Sequence, residues 1–215
     1  MESPEITIID YGLGNLLSVS RGFEHFGTRV TITSDPKVLI DSSLVVLPGV
    51  GAFPNAMALL EKHNLIEALK EYGKSGKPLL AICLGMQLLM DESEEFAPTA
   101  GLGLIPGRVV SIPSQDSLGE KTKVPHIGWS SLHPSHLEEK WSGTLLEDND
   151  VGDPVYFVHS FQALPEDPAN EIAYTKYGGH RISAVISKDN IVGCQFHPEK
   201  SGQLGLKIMR RFCNV

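Results

Sequence analysis

The sequence predicts an α/β fold, with a doubly wound, mostly parallel central sheet, flanking helices, and a smaller antiparallel or mixed sheet region. Three observations carry that prediction. Short β-branched runs alternate with segments of helical period through the first half, and that alternation builds a parallel sheet. Two of the runs, residues 44–47 and 79–82, are apolar on both faces, as strands covered by helices on each side must be. From about Gly101 onward strands are separated by turn-rich connections, notably 113–125 and 134–154, with little helical period between them, which points to antiparallel or mixed pairing.

In chain order, residues 6–9 form the first strand. Leu16, Val19, Phe23 and Phe26 then recur at helical spacing, and Gly27 is a stop signal. Strands follow at 29–33 and 44–47. Leu59, Leu60, Leu65, Ile66 and Leu69 predict one helix over about 55–72, closed by Gly73 and Gly76. Residues 78–83 form a strand leading directly into a helix, and later strands fall at 154–161, 182–187 and 191–196. The stripe of Leu204, Ile208, Met209 and Phe212 makes 203–213 the last helix. The sequence holds no internal repeat, low-complexity tract or long linker, so its 215 residues read as one domain.

Composition narrows the function classes. Eighteen Lys plus Arg against 26 Asp plus Glu give a net charge of −8, and 41% hydrophobic with 20% charged residues excludes a disordered chain. Without a basic cluster, an acidic surface argues against nucleic acid as a partner. Residues 42–60 are the longest uncharged stretch, but Pro48, Gly49, Gly51, Pro54 and Asn55 interrupt it, so no membrane span is expected. The N-terminus lacks the basic flank and long apolar core of a signal peptide. Cys83, Cys194 and Cys213 are too few and too widely spaced for a disulfide framework, and no two have metal-ligand spacing. A cytoplasmic, reducing location fits, with no cofactor and no metal. His133 and His136 are three apart in a loop, a weak basis for a metal site.

Chemistry concentrates in three segments. Cys83 closes an apolar strand and precedes a helix, the geometry of a nucleophile elbow, and Ala81 and Gly85 are small enough to let strand and helix approach. A helix N-terminus beside a sulfur favours the nucleophilic thiolate. The alternative at this point is a buried cysteine packing as a small hydrophobe. In His197-Pro198-Glu199, proline pushes its neighbour toward extended backbone, so His197 and Glu199 are predicted on one side of an extended tripeptide. The carboxylate then orients the imidazole as the third member of a triad, though a surface ion pair is the competing reading. Pro48-Gly49-Val50-Gly51 follows a strand, and its glycines allow backbone N–H groups to turn toward a ligand. With the Leu84 N–H, an amide of Val50 or Gly51 could form an oxyanion site, although an ordinary turn also contains Gly and Pro. No phosphate-loop lysine follows. Cys194 and Cys213 read as packing residues, and His159 as either a substrate-orienting or a hydrogen-bonded strand-end histidine.

Together, Pro48-Gly49-Val50-Gly51, the segment from Ala81 to Gln87, and Gln195-Phe196-His197-Pro198-Glu199 resemble the three signatures of the class I, or triad, glutamine amidotransferases. The segments from Asp10 to Asn15, Pro125 to Trp129 and Tyr156 to Phe161 resemble the glutaminase subunits of imidazole glycerol phosphate synthase within that family. Ala81 stands where the family has Gly, and Ser130 where Asn is common. The resemblance implies a flavodoxin-like fold and one amidotransferase domain over 1–215. It further implies a Cys83–His197–Glu199 triad that hydrolyses L-glutamine, with glutamine bound by Gly49, Gly51, Gln87, Glu95, Ser160 and Phe161. The implied partner is a cyclase (β/α)₈ barrel subunit, met through Asn15, Trp129, Tyr156 and Lys200 and using the released ammonia, for which these 215 residues hold no second site. Three alternatives stand beside it: the glutaminase subunit of an anthranilate or pyridoxal phosphate synthase, a non-catalytic scaffold of the same fold, and a cysteine peptidase.

Overall fold

A computed structural model describes residues 5–135 and 141–214. The chain runs β1 (Glu5–Ile9), α1 (Leu16–Glu24), β2 (Arg29–Thr33), α2 (Pro36–Asp41), β3 (Leu44–Gly49), α3 (Phe53–Lys62), α4 (Leu65–Lys74), β4 (Leu79–Cys83) and α5 (Leu84–Leu88). It continues through the short strands β5 (Glu92–Ser93) and β6 (Thr99–Ala100), then β7 (Gly107–Ser111), β8 (His126–Ser131), β9 (His133–Pro134), β10 (Pro154–His159), β11 (Phe161–Pro165), β12 (Glu171–Tyr177), β13 (His180–Lys188), β14 (Ile191–Cys194) and α6 (Gly202–Phe212).

An eight-stranded sheet in the order β2-β1-β3-β4-β14-β13-β12-β9 forms the centre. Its first five strands are parallel and the remaining pairings antiparallel. Those five follow the flavodoxin-like order, in which ligands bind at the carboxyl ends of the strands. A second sheet, β11-β7-β5-β6, and the hairpin-like pair β10-β8 supply the smaller mixed region.

Alternation along the parallel strands explains why they are apolar throughout. Val45, Leu47, Leu79 and Ala81 face the layer built by α3, α4 and α5, with Phe53, Leu60 and Leu69. Leu44, Val46, Leu80 and Ile82 face the opposite layer, with Val19 and Phe23 of α1 and Ile208, Met209 and Phe212 of α6. Both faces are therefore core, and each buried Leu, Ile or Val contributes about 1.5–3 kcal/mol.

The structure adds strands that the sequence-based reading did not place, β7, β8 and β12 among them, and departs from it at four further places. The helix predicted over 55–72 is two helices, because Asn64 takes a left-handed backbone (φ 56°) and turns the chain between α3 and α4. The strand predicted over 154–161 breaks at Ser160: β10 pairs with β8 while β11 pairs with β7. Helix α2 carries its own start signal, Pro36 at its first position and the Asp35 side chain accepting from Lys37 N at 2.9 Å. His197-Pro198-Glu199 is not extended throughout; Pro198–Lys200 form a single 3₁₀ turn.

Candidate active site

Cys83 is the last residue of β4 and the first flank of α5, held at φ 56°, ψ −111°. That backbone conformation costs an L-residue about 1–3 kcal/mol and persists only where the surroundings enforce it. Gly85 is part of the enforcement, since a Cβ there would overlap the backbone carbonyl oxygen of Leu47 on β3. Ala81 is tolerated because it lies fully buried in the sheet, paired with Leu47 and Gly193. The elbow thus leaves the Cys83 sulfur at the carboxyl edge of the sheet, beside the end of β3, where Gly49 is its register partner.

His197 reaches the same edge from beyond β14. Its backbone N–H donates to the Tyr156 carbonyl at 2.9 Å, and the buried Ser201 hydroxyl donates to the His197 carbonyl at 2.7 Å. The 3₁₀ turn then folds Glu199 back, so that His197 Nδ1 and Glu199 Oε1 meet at 2.8 Å with both side chains almost fully buried. The pairing predicted from the i, i+2 spacing therefore forms, but a turn rather than an extended chain produces it. His197 Nε2 is buried and makes no well-formed hydrogen bond, leaving the Cys83 thiol as the group that acts on that side of the ring. Burial opposes charge on this imidazole, yet the neighbouring Cys83 sulfur and the Glu199 carboxylate outweigh it and raise its pKa to about 9.

A cavity of about 370 Å³ opens over the sulfur. Val50, Gly51, Cys83, Leu84, Gln87, Glu95, Ser160, Phe161, the buried His197 and the exposed Lys200 are among the residues that line it. The break between β10 and β11 is what places Ser160 and Phe161 there. Gly51 has φ 104°, a conformation open to glycine. Gly49 does not line the cavity; it lies beneath it, where a Cβ would come within 2.7 Å of the Tyr11 hydroxyl and 2.8 Å of Gly85 N. Glu95 lines the cavity while its Oε2 accepts from Phe53 N at 2.7 Å, tying it to the start of α3. A cavity of about 440 Å³ at the opposite edge of the sheet, near Pro78, Asn190 and Phe212, contains none of the candidate residues.

The predicted partner-facing residues divide. Trp129 of β8 is 57% exposed and sits opposite Tyr156 of β10, their ring centroids 6.0 Å apart. Lys200 is exposed at the cavity rim. Asn15 flanks α1, is half-buried, makes no side-chain cap and does not touch the cavity.

Gln195 has no role in the sequence-based assignment of the site beyond its place in the third signature. It is fully buried and its Nε2 donates to Cys83 Sγ at 3.8 Å, while its Oε1 accepts from Gln87 Nε2 at 3.0 Å. The available signal was its position two residues before His197, on the same side of the chain. Cys194 is fully buried, with its thiol pushed well up by burial and then by the Glu199 charge, which suits a packing thiol. Cys213 is also pushed up by burial. The His133 ring lies tilted against Tyr174, their centroids 5.3 Å apart, and His136 lies outside the described residues. Among the described residues no three His, Cys, Asp or Glu side chains gather as a metal site, and no helix is long and apolar enough to cross a membrane.

A thiol on a strained elbow, a carboxylate-oriented imidazole and a cavity with backbone amides at its edge can together carry acyl transfer from a small carbonyl substrate. Comparisons with known proteins agree with that chemistry. The fold matches the PurLQS structure from Thermotoga maritima, with TM-score 0.73, 20% identity and 99% coverage of both chains. It also matches a glutamine amidotransferase from Thermotoga maritima, with TM-score 0.62, 17% identity, and coverage of 95% of this chain and 80% of that one. Among sequence relatives, imidazole glycerol phosphate synthase subunit HisH 1 of Legionella pneumophila (strain Lens) is 48% identical over 210 residues, 98% of this chain and 99% of that one. Subunit HisH of Syntrophotalea carbinolica is 45% identical over 208 residues, 96% and 98% of the two chains. Since the family model "Glutamine amidotransferase class-I" also matches residues 7–214, the chain belongs to the class I glutamine amidotransferases, in the branch of the HisH subunits of imidazole glycerol phosphate synthase.

Proposed function

We propose that this chain is the glutaminase subunit of an imidazole glycerol phosphate synthase, hydrolysing L-glutamine to L-glutamate and ammonia with Cys83, His197 and Glu199 as its catalytic triad. The observation that carries this reading is the placement of one buried imidazole between the Glu199 carboxylate, at 2.8 Å, and the thiol of the β4–α5 elbow. The raised pKa of His197 equips the imidazole to take up the Cys83 proton and hold it for the departing nitrogen.

In the first half-reaction the proton of the Cys83 thiol passes to His197 and the sulfur forms a bond to the glutamine side-chain carbonyl carbon. The tetrahedral oxyanion is met by the Leu84 N–H and an amide of Val50 or Gly51, each donor being worth about 3 kcal/mol. As the C–N bond breaks, His197 gives its proton to the departing nitrogen and ammonia leaves a γ-glutamyl thioester. In the second half His197 takes a proton from water, hydroxide adds to the thioester, and glutamate departs with the sulfur restored. Glu199 holds the imidazole orientation through both halves. Gly51, Glu95, Ser160 and Phe161 bind glutamine. Gln87 shapes the pocket from behind, since its amide N–H groups are already given to Phe161 O and Gln195, and Gly49 supports the loop from below.

Ammonia loses its nucleophilicity when protonated in water, so this reaction serves synthesis only beside a second active site. We place that site on a cyclase subunit of (β/α)₈ barrel form, which uses ammonia to make imidazole glycerol phosphate and aminoimidazole carboxamide ribonucleotide in histidine biosynthesis. Trp129, Tyr156 and Lys200 meet the barrel around the cavity mouth, and Asn15 at its margin. The assembled pair is a cytoplasmic heterodimer.

The test is Cys83→Ala in the two-subunit complex. Glutamine-dependent synthesis is expected to fall at least ~1,000-fold, since deleting a nucleophile can cost on the order of 10⁶ in rate, while synthesis from added ammonium salt stays within about twofold of wild type. Retention of glutamine-dependent synthesis would remove Cys83 from the mechanism, and loss of both activities in a complex that still assembles would refute the division of labour.

A further inference from the structure

A buried polar chain beside the cavity has no part in the mechanism above. His126 and His159 are 1% and 6% exposed. The His126 ring is stacked between Tyr177, at 4.0 Å between centroids, and Phe157, at 4.9 Å, so its plane is fixed. His126 Nδ1 lies 3.0 Å from His159 Nε2, His126 Nε2 lies 2.9 Å from Ser130 Oγ, and His159 Nδ1 lies 2.8 Å from the Phe161 carbonyl oxygen.

The proton positions follow from these contacts. Burial, the largest cause for each, lowers both histidines to about 4, so each ring carries a single proton at neutral pH. A carbonyl oxygen can only accept, so the His159 proton is on Nδ1 and its Nε2 is bare. His126 must then donate from Nδ1, which leaves its Nε2 to accept from the Ser130 hydroxyl. Donation runs one way, from Ser130 through His126 and His159 to Phe161 O.

That carbonyl is a junction. It also accepts from Gln87 Nε2 at 3.0 Å; the same amide nitrogen donates to Gln195 Oε1 at 3.0 Å, and Gln195 Nε2 reaches Cys83 Sγ at 3.8 Å. Continuous hydrogen bonding therefore links Ser130, the neighbour of exposed Trp129 on β8, to the nucleophile. The segment it fixes, Ser160 and Phe161, is the corner where β10 hands over to β11 and where the cavity wall is made.

We propose that Ser130, His126 and His159 form a positioning chain that holds the Phe161 carbonyl, and through it the glutamine-binding wall and the Gln87–Gln195 seat of the sulfur, in register from the strand that carries Trp129. The inference deepens the glutaminase reading and rests on it for the identity of the ligand. Removing the Ser130 hydroxyl leaves a buried ring nitrogen without a donor, and His126 is then free to move its proton to Nε2. His159 Nε2 would lose its donor in turn, so the ring that donates to Phe161 O would be held on one side only. Loosening a binding wall costs ground-state and transition-state binding together, which raises KM more than it lowers kcat.

Two measurements test the chain. The first is ¹⁵N imidazole NMR of the full-length wild-type protein at neutral pH, where both His126 and His159 are expected as the Nδ1–H tautomer; an Nε2–H proton on either ring would overturn the assignment without bearing on catalysis. The second is glutamine hydrolysis by the assembled complex. Ser130→Ala is expected to raise KM for glutamine about fivefold with kcat within twofold, and Ser130→Thr, which keeps the hydroxyl, to retain the wild-type KM. A Ser130→Ala complex with unchanged KM, whether or not its melting temperature falls, would leave the chain a purely structural role and overturn the proposal. A wild-type complex that hydrolyses no glutamine would instead refute the glutaminase reading, leaving the tautomer result standing.

Discussion

At His197 three influences compete, and their balance decides how the site responds to pH. Burial disfavours the imidazolium, but the sulfur on one side and Glu199 on the other more than compensate, lifting the pKa from 6.5 to about 9. The sign of the consequence is fixed by linkage: a folded-state pKa raised above the unfolded value stabilises the fold fully below about pH 6.5, and that contribution is lost as pH rises through about 9. Catalysis follows the same group, because the proton needed by departing ammonia is the one His197 holds. In the complex, kcat/KM for glutamine is expected to be level through neutrality and to fall on the alkaline side with an apparent pKa near 9. Glu199→Gln removes one of the two raising influences, so the alkaline fall should move to lower pH. A pH–rate profile of both proteins checks this; a limb in the variant unmoved from wild type would show that Glu199 does not hold the charge on His197.

The element that makes Cys83 reactive is the junction of β4 with α5, and it works only because α5 begins almost on top of β3. Gly85 is the contact point, with no room for a side chain against the Leu47 carbonyl. Gly85→Ala is therefore expected to destabilise the fold by about 3 kcal/mol, the upper part of the range for overpacking, and to lower glutamine hydrolysis at least tenfold by tilting the elbow. Denaturant unfolding and steady-state assays would measure both, and a fully stable, fully active variant would mean the junction yields easily. Elements of this kind were legible in the sequence: Gly85 by its spacing from Cys83, and β3 and β4 because burial on both faces writes an unbroken apolar run. Other elements were not, for reasons tied to particular residues. Residues 154–161 read as one strand, and the break at Ser160 is set by which strand lies alongside, β8 or β7, information held more than 20 residues away. Asn64 divides α3 from α4 by its backbone angle without interrupting the leucine pattern around it. Gln195 was concealed by its type, since an amide amid apolar strand residues announces no chemistry until the sulfur is seen beside it. His197 and Glu199 were found as a pair, but the turn that joins them depends on Ser201 bracing the His197 carbonyl against β10, a tertiary contact.

Across the whole molecule, two of the exposed apolar side chains share one face of β8, the strand paired with β10, which leads into the cavity wall. Ile127 and Trp129 point outward from the same side of β8, at 52% and 57% exposure. Tyr156 lies opposite Trp129 on β10, and Val50, 37% exposed, stands at the cavity mouth with Lys200 nearby. An exposed indole backed by a second aromatic ring is the kind of anchor that dominates protein–protein association. A partner seated on Trp129 and reaching Val50 and Lys200 would cover the opening above Cys83 and shorten the distance that ammonia has to travel. If this face receives the cyclase subunit, truncating the indole removes an anchor worth about 2 kcal/mol, equivalent to a roughly 30-fold weaker complex. Trp129→Ala is therefore expected to raise the dissociation constant by about that factor, read by titration calorimetry against the purified cyclase subunit. Because most of the indole is already in water, the variant alone should melt within a degree or two of wild type. Any hydrolysis of glutamine by the chain without the partner should also be unchanged, since Trp129 does not line the cavity. A dissociation constant equal to wild type would move the interface off this face and require another route by which ammonia reaches the synthase.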